Sequence, residues 1–252
     1  MTRKAMGNST KKDDVKTGKD VKKPSLKEVS KYFKQDHLTR PIIKYIYYPP
    51  SVFYSWIAVS LGISAHLVNL LGLASTISAA LIIYYLGGMW MILAGFLVMF
   101  GLVADLSDGT VARYYNKKNA MGKWLDESSG FIGICAVFFA LMMKNFMETG
   151  NVIIIILGTY AIFSYMMINY AALLSEVLRT KFSLSNPMDN VRGGLSKTFF
   201  GISPGAFSFA LDLQWSLVAL GVFLYQPFWL FVLFGTISSL QWMARYVIFF
   251  GK

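Results

Sequence analysis

Three aspartates, Asp105, Asp108 and Asp126, stand with Glu127 and Arg113 between long apolar runs. A carboxylate at the centre of a membrane span costs about 3 kcal/mol on insertion scales, so several together must face a polar cavity and be neutralised. At about 100° per residue, Asp105, Asp108, Gly109 and Ala112 share one helix face, with Arg113 at its edge. Asp105 lies two turns, roughly 12 Å, in from Arg113. Asp126 sits one turn into the next apolar run, after Gly122, and the short turn at 114–119 predicts an antiparallel hairpin that brings the three carboxylates together. Clustered carboxylates without His or Cys specify a hard cation, Mg²⁺ or Mn²⁺ with Ca²⁺ also compatible, rather than zinc. Gly109 and Ala112 leave a gap in which a ligand can approach the helix, and Arg113 offers a planar donor fork suited to phosphate. Metal, small residues and arginine together read as a diphosphate site. The plainer alternative is a structural network in which Asp105 and Asp108 pair with Arg113, Lys117 and Lys123.

The elements that position these residues are membrane helices. Of 252 residues 55% are hydrophobic and 16% aromatic, and mean hydropathy is +0.50, more apolar surface than a soluble domain carries. Six runs are long enough to cross: 65–86, 89–113, 120–144, 150–178, 203–224 and 226–250. Lipid satisfies no backbone groups, so these are helices, and the fold class is an all-α integral membrane protein. Residues 1–25 are Lys-rich and polar and read as a disordered basic tail, with no cleavable signal peptide. Residues 26–63 form an interfacial region. From Leu26 to Tyr48, apolar and basic residues interleave as in an amphipathic surface helix, bent at Pro41 and ended by Pro49–Pro50. The run 51–63 is too short to span. Residues 64–252 are the six-helix membrane domain.

The charges orient this topology. With the N-terminus inside, 23 of the 24 Lys and Arg residues fall on the cytoplasmic side and only Lys144 falls beyond. Both termini and the acidic site are therefore expected in the cytoplasm. A net charge of +11 then matches attraction to anionic membrane lipids, without nucleic acid. The lone Cys135 forms no intrachain disulfide and supports neither redox nor thiolate-metal chemistry.

The acidic stretch resembles the signature of the CDP-alcohol phosphotransferase (CDP-alcohol phosphatidyltransferase) family, D-x2-D-G-x2-A-R-x8-G-x3-D-x3-D. Asp105, Asp108, Gly109, Ala112, Arg113, Gly122 and Asp126 match in place. The stretch "AHLVNLLGL" is similar to the family's first-span start only loosely, with Ala65 where proline and Asn69 where threonine are usual. The resemblance implies transfer of a phosphoalcohol or phosphatidyl group from a CDP-linked donor, such as CDP-diacylglycerol, to an acceptor alcohol or lipid, releasing CMP. Carried over by position, Asp105, Asp108 and Asp126 would be ligands for Mg²⁺ or Mn²⁺. Gly109, Ala112 and Gly122 would make room for the nucleotide, Arg113 would meet its phosphates, and the protein would be a homodimer.

One position departs. The family's fourth aspartate, a ligand and general base, is Gly130 here, and glycine can do neither job. A missing base costs ~10²–10⁴-fold. Glu127 is a candidate replacement, about 60° around the helix from position 130. Asp212 is another, although Arg245 at similar depth is its expected ion-pair partner. Lys197 is a candidate phosphate or acceptor contact. His37 and His66 are isolated and read as interfacial. Two further functions compete with the transferase: a catalytically impaired relative that binds CDP-linked lipid or metal as a sensor, scaffold or partner subunit, and a cation transporter. The transporter fits poorly, because the carboxylates lie near one face and no inverted repeat is visible.

Overall fold

The computed structural model describes residues 24–117, 120–182 and 209–250. The basic tail up to residue 23, the loop 183–202 and Lys197 lie outside the described residues. All regular structure described is helical. α1 (Leu26–Ser30) and α2 (Tyr48–Ser60) precede α3 (Ala65–Tyr85), α4 (Trp90–Tyr114), α5 (Ala120–Thr149) and α6 (Val152–Phe182). Two more helices follow, α7 (Leu211–Phe223) and α8 (Pro227–Phe250). Five of these, α3 to α6 and α8, are long and apolar enough to cross a membrane, and α7 is a shorter apolar helix of 13 residues. The spans expected from the sequence match within a few residues, except that α5 runs on to Thr149. The first part of the run 203–224 lies outside the described residues.

The N-terminal region is not one amphipathic helix. A 3₁₀ turn at Gln35–Thr39 follows α1, and Arg40 is extended (φ −97°, ψ 122°), as the residue before a proline tends to be. A π-helical turn at Ile43–Tyr47 then runs straight into α2. Pro49 and Pro50 therefore open α2 instead of ending a helix. They lack the N–H groups that an α-helix would direct back to earlier carbonyls, a reason for the wider π turn just before them.

This region straps across one end of the bundle. Tyr47 Oη bonds Ser216 Oγ of α7 at 3.0 Å, and the Arg113 Nε at the end of α4 donates to the Tyr32 carbonyl at 2.6 Å. Arg40 pairs with Asp212 at 3.1 Å. That last contact corrects the expected Asp212–Arg245 pair: Arg245 donates instead to the Ile168 carbonyl. Asp212 stands in the first turn of α7, close enough to the end of the bundle for a surface arginine to reach it.

The expected α4–α5 hairpin is also corrected. α3 packs extensively on both helices, whereas α4 and α5 touch each other little. Thr76 of α3 is the wedge. A Cβ added at Gly101 of α4 would lie 2.5 Å from Thr76 Cγ2, and one at Gly133 of α5 would overlap Thr76 Oγ1. Two glycines thus let three helices close on one threonine, the small-residue packing that membranes favour. The remaining core is aromatic and aliphatic, with Phe138 edge-on to both Phe231 and Phe234 of α8.

Two outcomes follow for stability in detergent. Gly133→Ala should destabilise by about 1–3 kcal/mol, the range for overpacking, and Thr76→Ala in the same protein should recover part of it in thermal unfolding. Arg40→Ala should cost about 2 kcal/mol, less than a fully buried pair, because Arg40 is 28% exposed while Asp212 is 3% exposed. Adding Asp212→Asn to that variant should restore much of the loss, whereas no recovery would mean that Arg40 acts through packing alone.

Candidate functional site

Three helix ends meet at a cavity of about 480 Å³. α4 brings Asp108, Gly109, Ala112 and Arg113, which helical phase places on neighbouring faces. The first turns of α5 bring Gly122, Lys123 and Asp126. The N-terminus of α3, capped by Ser64, brings Ala65, His66 and Asn69. Two helix N-termini, with partial positive charge, therefore join Arg113, Lys117 and Lys123 around the same space, which favours an anion.

The carboxylates are held in two pairs. Asn69 Nδ2 donates to Asp108 Oδ2 at 2.8 Å, and both residues are buried. Asp105 and Asp126 lie near enough for their carboxyls to interact. Asp105 does not line the main cavity. It lies behind Asp126, on a small void shared with Gly130, so the expectation of three carboxylates around one space holds only for Asp108 and Asp126. The structural network weighed as an alternative is not what forms. The ion pairs among the described residues are Arg40–Asp212, Lys123–Glu127, Lys123–Glu176 and Lys144–Glu148, and none contains a motif aspartate. Nor, among the described residues, do three or more Asp, Glu, His or Cys side chains enclose a point where a metal ion could be held by protein alone.

Gly109 has a visible job. A Cβ there would lie 3.2 Å from Arg113 Nη1, so the glycine lets the guanidinium lie along the helix. Arg113 is further held by Tyr32 and by Thr110 Oγ1 at 3.3 Å. Of the two replacement carboxylates, Glu127 is exposed, points to Lys123 at 3.8 Å and lines neither space. Asp212 is committed to Arg40. His37 also lies off the cavity, and burial, with Lys34, Arg40 and Arg113 nearby, pushes its imidazole down to about 4.

Two cavity residues escape a motif-based reading, His66 and Asn69. Asn69 carried a signal, since an amide in an apolar run needs a partner. His66 is exposed at the mouth, and its type alone did not separate a cavity position from an interfacial one.

Among curated proteins no significant match is found. Among solved structures ten chains match significantly. One is a phosphatidylinositol phosphate synthase of Mycobacterium tuberculosis with CDP-DAG bound. It is 18% identical, covers 78% of this chain and 93% of its own, and superposes with a TM-score of 0.48. The sequence profile of CDP-alcohol phosphatidyltransferases matches residues 65–226, well over half of the chain and all of the cavity-forming helices α3 to α5. With that match, the protein belongs to the CDP-alcohol phosphatidyltransferase family.

Proposed function

We propose that this integral membrane protein binds a CDP-linked donor, such as CDP-diacylglycerol, in the 480 Å³ cavity and transfers its phosphatidyl or phosphoalcohol group to an acceptor hydroxyl, releasing CMP. The observation that carries the reading is the cavity wall itself: six of the seven motif positions, from Asp108 to Asp126, line it. Arg113, Lys117, Lys123 and the two helix N-termini would meet the diphosphate. Gly109, Ala112 and Gly122 would leave room for the nucleotide.

The donor chemistry fits a hard divalent ion. Asp105 and Asp126 are adjacent carboxyls with no ion-pair partner among the described residues, so they call for a counter-charge. Mg²⁺ is typically held by one or two carboxylates with substrate phosphates and water completing the shell, which suits a site without a full protein cage. Asp108 and Asp126 on the cavity wall, with Asp105 behind Asp126 as a further candidate ligand, would hold Mg²⁺ or Mn²⁺, whose contribution is to stabilise charge developing on the diphosphate. Asn69 keeps the Asp108 carboxylate turned toward the cavity. Lys197 stays a candidate for the acceptor side. By charge distribution the cavity opens to the cytoplasm, and the working protein is a homodimer in an anionic leaflet.

A second reading has its own observation. Glu127 pairs with Lys123 and Asp212 with Arg40, and neither lines the void beside Gly130, which favours a relative that keeps donor binding while catalysing slowly or not at all. CMP release by purified protein with Mn²⁺ or Mg²⁺, CDP-diacylglycerol and a panel of acceptor alcohols separates the two.

Metal and CDP-diacylglycerol together should raise the unfolding temperature more than the sum of either alone, because a diphosphate bridges to a metal. Asp108→Asn should abolish that excess, and the absence of any shift with CDP compounds would overturn the donor site. Gly130→Asp should tighten metal binding. If proton removal limits the native protein, it should also increase CMP release by up to ~10²–10⁴-fold, the usual contribution of a general base. A variant that changes neither would remove position 130 from the site.

A further inference from the structure

Behind Asp126 the helices border a second, partly open void of about 10 Å³, whose walls include Asn69, Thr76, Asp105, Ser129, Gly130 and Trp215. Two of these residues each carry a buried polar atom with no hydrogen-bond partner among the described residues: the indole Nε1 of Trp215 and the amide Oδ1 of Asn69. Both residues are buried, at 2% and 4% exposure. Buried polar groups are nearly always bonded, so a donor and an acceptor carried by two residues of one void both call for a partner.

The indole meets Gly130 through the ring corner next to its nitrogen-bearing carbon. Its Cζ3 and Cη2 lie against Gly101, where an added Cβ would be 2.5 and 2.9 Å away. Its Cζ2 faces Gly130, 3.9 Å from an added Cβ. In an indole, Cζ2 and Nε1 are bonded to the same carbon, so the donor lies one ring atom from that corner, more than 4 Å from an added Cβ at Gly130. The neighbouring hydroxyls are engaged elsewhere. Thr76 Oγ1 bonds the Leu73 carbonyl at 2.9 Å, and Ser129 Oγ bonds the Asp126 carbonyl at 3.1 Å.

We propose that one buried water occupies this void, in the space left open by Gly130, accepting from Trp215 Nε1 and donating to Asn69 Oδ1 beside the Asp105 carboxyl. The volume is that of a single water, which needs about 10–15 Å³ and two to four polar partners. An apolar filler is excluded by the orphaned atoms, and a larger ligand by the size. The water ties α3 to α7. It also fixes the Asn69 amide: with Oδ1 on the water, Nδ2 is the end presented to Asp108. Trp215 is thus a positioning residue acting through the water and Asn69, and Gly130 is a hydration site that a carboxylate or hydroxyl side chain would take over. None of this depends on the transfer reaction.

The test uses full-length protein in detergent. Gly130→Ser places a hydroxyl where the water sits, whereas Gly130→Ala displaces the water and replaces none of its bonds. Both changes are made in the native protein and in Trp215→Phe, so that helix propensity cancels between backgrounds. Serine should gain on alanine by about 2–4 °C in unfolding temperature in the native protein relative to the Trp215→Phe background. An unchanged difference between the backgrounds overturns the proposal. Should Trp215→Phe fail to fold, ¹⁵N-tryptophan labelling provides a second reading. Of the six indole signals, the one displaced by Gly130→Ala should show a cross-peak to water in the native protein, and its absence overturns the proposal.

Discussion

The site depends on Thr76 lying between two glycines. Membrane helices gain nothing by burying apolar surface against one another that lipid does not already provide, so close backbone approach must hold them. Gly101 and Gly133 permit that approach, and α3 can then sit between α4 and α5. Were α4 and α5 packed face to face, Asp105, Asp108 and Asp126 would be crowded into a single seam with no space for a ligand. With α3 packed on both, Asp108 of α4 and Asp126 of α5 line one cavity. The third wall of the cavity is then the first turn of α3 itself.

The strap at the same end sets how the polar groups are distributed. Asp212 is neutralised by Arg40 and Arg113 is anchored to the Tyr32 carbonyl, so two charges that could have found each other are held apart by one surface segment. The motif carboxylates are left without an ion pair among the described residues. Arg113 faces the cavity with its guanidinium laid along Gly109.

How much of this was legible in the sequence varies with the kind of information each feature needs. Span positions were legible because hydropathy and length report them directly, and Asp108, Gly109, Ala112 and Arg113 fall together because helical phase decides which face a residue takes. Phase does not say which helix lies opposite. That is why the insertion of α3, and the retreat of Asp105 behind Asp126, could not be read in advance. Matching residues by depth also misled: it paired Asp212 with Arg245, while the actual partner lies 172 positions away in a surface segment. Pro49 and Pro50 misled for a related reason. Proline ends a helix that precedes it, but it equally begins one, and only the π turn before it decides between them.

The opposite end of the bundle is built differently. Lys144 pairs with Glu148 at 3.4 Å, Tyr225 Oη from the α7–α8 turn also bonds Glu148, and the Lys144 stem runs against Gly87 in the α3–α4 turn. One lysine and one glutamate thus clasp two turns to the end of α5. A helix clasped at one end is a lever about that end. α5, at 30 residues, is about 45 Å long. A tilt of about 3° at the clasp moves its other tip by roughly 2 Å, the scale of a single ligand-to-oxygen bond. A change in that angle alone would alter the spacing of Asp108 and Asp126, with the backbone of neither helix changed.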